Sequence, residues 1–204
     1  MLDITATREG RGPNLPLLAD MANECFMPLS YGGGIRSFDQ AEAVFKIGIE
    51  KVILNTGAVE HPAVVTRIAN HFGRQAVVVS IDVGHDLLGH RRVRTHGGTR
   101  SLPRDVVDGA LRAEQLGAGE ILLSSIDREG TWQGFDVDLV RAVTQAVSVP
   151  VIAHGGAGSL QHVRTVVHEG GASAVALGSM VVFQKRGMGV LVNFPNPAEL
   201  AQAL

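Results

Sequence analysis

A single cysteine, Cys25, is the whole thiol content of this 204-residue chain. An internal disulfide framework is thereby excluded, and without a CxxC companion the default setting is a reducing cytoplasm. The chain also lacks an excess of either charge: 19% of its residues are charged and the formal net charge is -2. Nucleic acid is therefore not an implied partner, whereas a phosphorylated small molecule is still accommodated, because backbone N–H groups hold phosphate without a basic patch. No run approaches the ~18 apolar residues of a membrane span, and no basic-then-apolar leader opens the chain. What is present, 45% apolar residues over 204 positions, suits one soluble domain, residues 1–204, with a substantial core.

From residue 28 onward, short runs rich in Val, Ile and Leu alternate with segments of helical period. The runs lie at 28–31, 51–55, 76–82, 120–126, 150–153 and 173–177. Their unbroken apolar character predicts strands covered on both faces, as in a parallel sheet wrapped by helices. Leu2 to Thr5 reads as a further strand at the start of the chain. Between the runs, Phe38, Ala41, Val44 and Phe45, then Val64, Val65, Ile68 and Phe72, then Val106, Val107, Ala110 and Leu111 recur at three- and four-residue spacing, which predicts one-sided helices. Ser37 and Ser159 stand where N-caps belong, Pro62 and Pro103 near first turns, and Gly48, Gly73, Gly117 and Gly170 where helices stop.

Strand–helix alternation leaves a doubly wound sheet or a closed barrel, and an internal repeat decides between them. "PLSYGGGIRSFDQAEAVFKIG" from Pro28 aligns with "PVIAHGGAGSLQHVRTVVHEG" from Pro150, an offset of 122 residues. Gly33 and Gly155, Gly34 and Gly156, Ser37 and Ser159, and Gly48 and Gly170 coincide. A half of that size is four β/α units, and two halves approach the ~250 residues of an eight-stranded barrel. The expected fold is thus a (β/α)8 TIM barrel of duplicated half-barrels. The repeat places the counterpart of the strand at 76–82 ahead of residue 1, so the first β/α unit, about 45 residues, is expected to be missing, a gap in the fold and not a cleaved address.

Barrels of this kind carry their chemistry at the C-terminal strand ends. Those ends read Asp3, Gly32-Gly33-Gly34, Asn55-Thr56, Asp82, Asp127 with Gly130-Thr131, Gly155-Gly156 and Gly178-Ser179. The glycine pairs serve either a tight turn needing positive φ or a phosphate approaching N–H groups at a helix N-terminus. Taken as phosphate turns, Gly33-Gly34 with Asn55-Thr56 and Gly155-Gly156 with Gly178-Ser179 imply a substrate phosphorylated at both ends. Asp82 is either a local cap or one of two acid–base carboxylates, whose partner by duplication belongs to strand one. Asp127 and Asp3 are each either a ligand for a substrate hydroxyl or the pin of an Asx-type turn. His85, His90 and His96 lie in a polar insertion, 83–101, with Arg91, Arg92, Arg94 and Arg100; a solvated hairpin or lid is favoured over a metal site, since the spacing fits no zinc pattern. His154 is an imidazole beside the anion or a structural residue, and Cys25 is read as packed.

"LDITAT", "GGGI", "KVILNT", "QAVVVSID", "GAGEILLSSIDREGT" and "HGGAG", in that order, resemble the cyclase subunit family of imidazole glycerol phosphate synthase over essentially the whole chain. The resemblance implies an eight-stranded barrel and no cofactor. It also implies a lyase and ring-closing reaction, in which ammonia from a glutaminase partner converts a bisphosphorylated ribulosyl aminoimidazole carboxamide nucleotide to imidazole glycerol phosphate and aminoimidazole carboxamide ribotide. By motif, Asp82 matches the strand-five catalytic aspartate, and the strand-one aspartate has no counterpart. Gly34, Asn55 and Thr56 match one phosphate site, and Gly156, Gly178 and Ser179 the other. Lys51 and Glu120 match members of the charged ring through which ammonia enters. Gly84 departs from the lysine usual in histidine-pathway members. The segments "HDLLGHRRVRTHGGT" and "VVFQKRGMGVLVNFP" look more like a branch associated with amidino-sugar synthesis for surface polysaccharides, where a cyclase-like subunit channels ammonia or acts as a scaffold. An inactive truncated homologue is the further alternative.

Overall fold

The computed structural model describes residues 1–183 and 189–203; part of the tail motif just quoted, 184–188, lies outside them. Along the chain run α1 (Leu15–Glu24), β1 (Ser30–Gly32), α2 (Phe38–Lys46), β2 (Lys51–Leu54), α3 (Thr56–Glu60), α4 (Pro62–Phe72) and β3 (Val77–His85). There follow β4 (Arg91–Thr95), β5 (Arg100–Leu102), α5 (Val106–Leu116), β6 (Glu120–Ser125), α6 (Val137–Thr144), β7 (Val151–His154), α7 (Leu160–His168), β8 (Ala174–Ala176), α8 (Ser179–Val182) and α9 (Pro197–Ala203). Six strands pair in parallel in the order β1-β2-β3-β6-β7-β8. This curled sheet with alternating helices is of the (β/α)8 TIM-barrel type.

The unbroken apolar runs have their explanation in β3, where Val77 to Ile81 are all buried. Both faces of that strand are covered, and each buried Val or Ile side chain contributes about 1.5–3 kcal/mol by leaving water. The core continues from Leu18 through Tyr31, Leu54 and Ile68 to Ile121, Leu123 and Val163. The repeat is visible in the caps: Ser37 Oγ accepts from the Gln40 amide at 3.2 Å, and Ser159 Oγ from the His162 amide at 3.3 Å.

Three local expectations are corrected. Leu2–Thr5 is not a strand: Leu2 makes a single parallel bridge with Gly32. The Asp3 carboxylate then accepts from the Thr5 and Ala6 amides, each at 3.1 Å, and turns the chain away from the sheet. Pro103 precedes its helix, because Asp105 is the N-cap, accepting from Val107 at 2.8 Å. Glu169 closes α7, and the positive φ there belongs to Gly171 and not to Gly170.

The insertion folds as an antiparallel hairpin on β3, with Asp82 opposite Arg94 and His85 opposite Arg91. Its own Val93 and Thr95 are buried. Arg91 donates twice to Asp136, at 2.7 and 3.2 Å, tying the hairpin to the N-cap of α6.

Candidate functional site

Asp82 lies near the C-terminal end of β3, with Ser80 two residues earlier on the same face. The Ser80 hydroxyl donates to Asp82 Oδ1 at 3.0 Å. Burial pushes the Asp82 carboxyl above its ordinary value, opposed by the Ser80 hydrogen bond and the charge of His154. Asp82 lines a cavity of about 110 Å³ together with Gly33, Gly34, Arg36, Asn55, Thr56 and Asp3. A raised carboxyl and the first glycine turn thus share one space.

The first turn is built by close approach. Gly33 and Gly34 have φ of 142° and 68°, and a Cβ on Gly34 would lie 2.4 Å from the Arg11 carbonyl. Asn55 donates to the carbonyls of Ser80 at 3.2 Å and Arg94 at 3.4 Å, which fixes the entry to α3. Thr56, buried, accepts from the His96 amide at 2.9 Å. His96 itself holds a φ of 56°, and its Nε2 lies 3.2 Å from Glu60. The hairpin turn therefore forms one wall of the cavity through Gly97.

The second turn lies outside that cavity. Gly155 and Gly156 have φ of 100° and 97°, and a Cβ on either would meet a carbonyl at 2.3 Å, of Ser125 or Gly134. Ser179 is already engaged: its amide and hydroxyl donate to Glu129 Oε1 at 3.2 and 2.7 Å. His154 joins this group, with Nδ1 3.1 Å from the Ser124 hydroxyl and Nε2 3.6 Å from Glu129. Asp82 has the first turn as a cavity neighbour, and a carboxylate fills the second.

Asp127 and Asp3 act as pins. Asp127 Oδ2 accepts from the amide of His85 at 2.7 Å and lies 3.0 Å from its Nδ1, securing the end of β3 across to β6. Burial raises its carboxyl and the His85 contacts lower it, with a net fall. Asp3 is held down at about 2, chiefly by the Arg11 guanidinium at 2.6 Å. Gly130, at φ 74°, bends the same loop that carries Glu129. Gly84 has a physical counterpart in Arg94, whose Nε lies 3.2 Å from where a Gly84 Cβ would stand. Cys25 is partly exposed, in contrast to the packed thiol expected, because it sits in the α1–β1 connection beyond the core.

At the opposite ends of the strands, Lys51 opens β2 and Glu120 opens β6, and the ammonium donates to the carboxylate. Ser80 was missed, although its two-residue spacing puts it on the same strand face as Asp82, whereas Glu129 and Arg36 carry no local signal that would have singled them out.

The family model described as "Histidine biosynthesis protein" matches residues 1–186. The chain belongs to this family. It is 47% identical over 185 residues to the imidazole glycerol phosphate synthase subunit HisF of Hyphomonas neptunium, covering 89% of this chain and 72% of that one. Two relatives whose names assign the same role provisionally are also similar. The subunit hisF2 of Pseudomonas aeruginosa is 44% identical over 200 residues, 98% of this chain and 80% of its own. The HisF of Leptospira borgpetersenii is 40% identical over 197, 96% and 78%. These likenesses make the protein HisF-like. Among the described residues no helix is long and apolar enough to cross a membrane.

Proposed function

We propose that this HisF-like chain, a barrel domain over residues 1–204, is the cyclase subunit of a cytoplasmic imidazole glycerol phosphate synthase. Ammonia released by a glutaminase partner reacts with the bisphosphorylated ribulosyl aminoimidazole carboxamide nucleotide. The products are imidazole glycerol phosphate and aminoimidazole carboxamide ribotide, and no cofactor takes part. The observation that carries this reading is the cavity shared by Asp82, Gly34, Asn55 and Thr56. One phosphate is held by N–H groups of the first turn, and the other belongs to Gly155, Gly156, Gly178 and Ser179, with the loop of Asp127 and Gly130 between them. Asp82, whose carboxyl burial pushes above its ordinary value, gives and takes a proton during ring closure. Lys51 and Glu120 line the ammonia entry on the face where the glutaminase docks.

The test is turnover of that nucleotide with ammonium salt at alkaline pH, with product analysis separating ring closure from isomerisation. Absence of turnover there rejects the reading. A second reading, resting on Gly84 where histidine-pathway members usually carry a lysine, is a cyclase-like ammonia-channelling or scaffold subunit for amidino-sugar synthesis. Glutaminase activation without nucleotide turnover would select it.

A further inference from the structure

The two glycine turns repeat each other in sequence but differ in occupancy. The first opens on a cavity, whereas the second faces the Glu129 side chain. Glu129 Oε1 takes both donors of Ser179, and Oε2 lies 3.6 Å from His154 Nε2. A Cβ on Gly178 would stand 2.7 Å from Oε1, so the bare glycine is what admits the carboxylate. Burial raises the Glu129 carboxyl, but the Ser179 hydroxyl and amide, His154 and the Gly156 amide outweigh it and leave the group below its ordinary value. These are the donors that an oxyanion would use.

The backbone beneath is fixed. Arg128 Nη1 donates to the carbonyls of Gly134 and Phe135 at 3.1 and 3.4 Å, and the Thr131 hydroxyl donates to the Arg128 carbonyl at 2.6 Å. The Glu129 side chain is nevertheless 34% exposed, so water already borders one side of it. An incoming anion must outbid a monoanion for these donors. A phosphate dianion does so through its second charge and extra oxygens, and a ligand ending in a carboxylate has no such advantage.

We propose that Glu129 is an internal competitor for the second phosphate seat, and that it sets the specificity of that seat for a phosphate monoester over a carboxylate of similar size. This rests on the reading of Gly156, Gly178 and Ser179 as a phosphate seat given above. Glu129 is then a specificity-determining residue that acts by vacating its place.

The experiment follows the amide resonances of Ser179 and Gly156 in the ¹⁵N-labelled full chain during titration with inorganic phosphate and, separately, acetate. Wild type is compared with Glu129→Gln, which keeps the shape without the charge, and with Glu129→Ala, which empties the seat. Both variants are expected to bind phosphate about tenfold more tightly, the scale of one charge-assisted hydrogen bond no longer to be displaced. They are also expected to gain a response to acetate that wild type lacks. Phosphate affinity equal to or below that of wild type in both variants overturns the proposal. Silence of both amides in all three proteins overturns the seat itself, an outcome distinct from equal affinities.

Discussion

The Lys51 ammonium meets the Glu120 carboxylate across the foot of β3, joining the first residues of two strands that are not neighbours in the sheet. Their side chains are only 32% and 21% exposed, so removing the ammonium leaves a largely buried carboxylate unpaired. Lys51→Met is expected to lower stability by more than the ~1 kcal/mol of a surface pair. If the pair gates ammonia, glutamine-dependent turnover in the complex with the glutaminase falls while turnover with ammonium salt is kept. Parallel loss of both rates would remove the gate reading.

Asp82→Asn separates chemistry from stability. Loss of a proton-transfer group is expected to lower turnover about 10²- to 10⁴-fold. Because burial raises the folded-state pKa of Asp82, the native state binds more protons than the unfolded one above the ordinary carboxylate value. Its contribution is then fully present below that value and lost as pH rises. The variant should therefore melt higher than wild type at neutral pH, with the difference shrinking toward acid; calorimetry across pH checks it.

Asp3 runs the other way. Its carboxyl is held at about 2 by Arg11, below the ordinary value, so its contribution is present above that value and lost as pH falls through the window between about 4 and about 2. Asp3→Asn keeps an acceptor for the Thr5 and Ala6 amides and loses the charge. Its deficit in melting temperature relative to wild type should be small at neutral pH and vanish in acid.

The glycine at 156 is held by contact as well as by conformation. Gly156→Ala places a Cβ 2.3 Å from the Gly134 carbonyl at φ 97°, whereas Gly10→Ala at φ 68° meets nothing within 4 Å. The second substitution costs about 1–2 kcal/mol, the strain of the left-handed region alone. The first should cost clearly more by denaturant titration, and equal costs would show that the turn relaxes freely.

The parallel sheet was legible because β3 and β6 are apolar on both faces, and the glycine turns because strand ends must bend sharply into helices. Ser37 and Ser159 announced their caps through the repeat. The strand expected at Leu2–Thr5 failed because a side chain, Asp3, captured amides that a neighbouring strand would have used. The hairpin over β3 was legible in the polar insertion, but not that Val93 and Thr95 within it are buried. Glu129 was invisible because its donors lie 50 residues away at Ser179.

The sheet order also grades the molecule by how readily it opens. Residues Val78 and Val79 of β3 are paired on one side with β2 and on the other with β6, and both are buried. Their amide hydrogens should exchange with solvent only when the whole chain unfolds. Among the described residues β8 is paired with β7 alone, and its Ala174 is exposed, so its amides should exchange by fraying. Deuterium uptake would then advance from the β8 edge inward, making β3 the last strand to lose its protons and the residues beside Ser179 among the first to sample an open state.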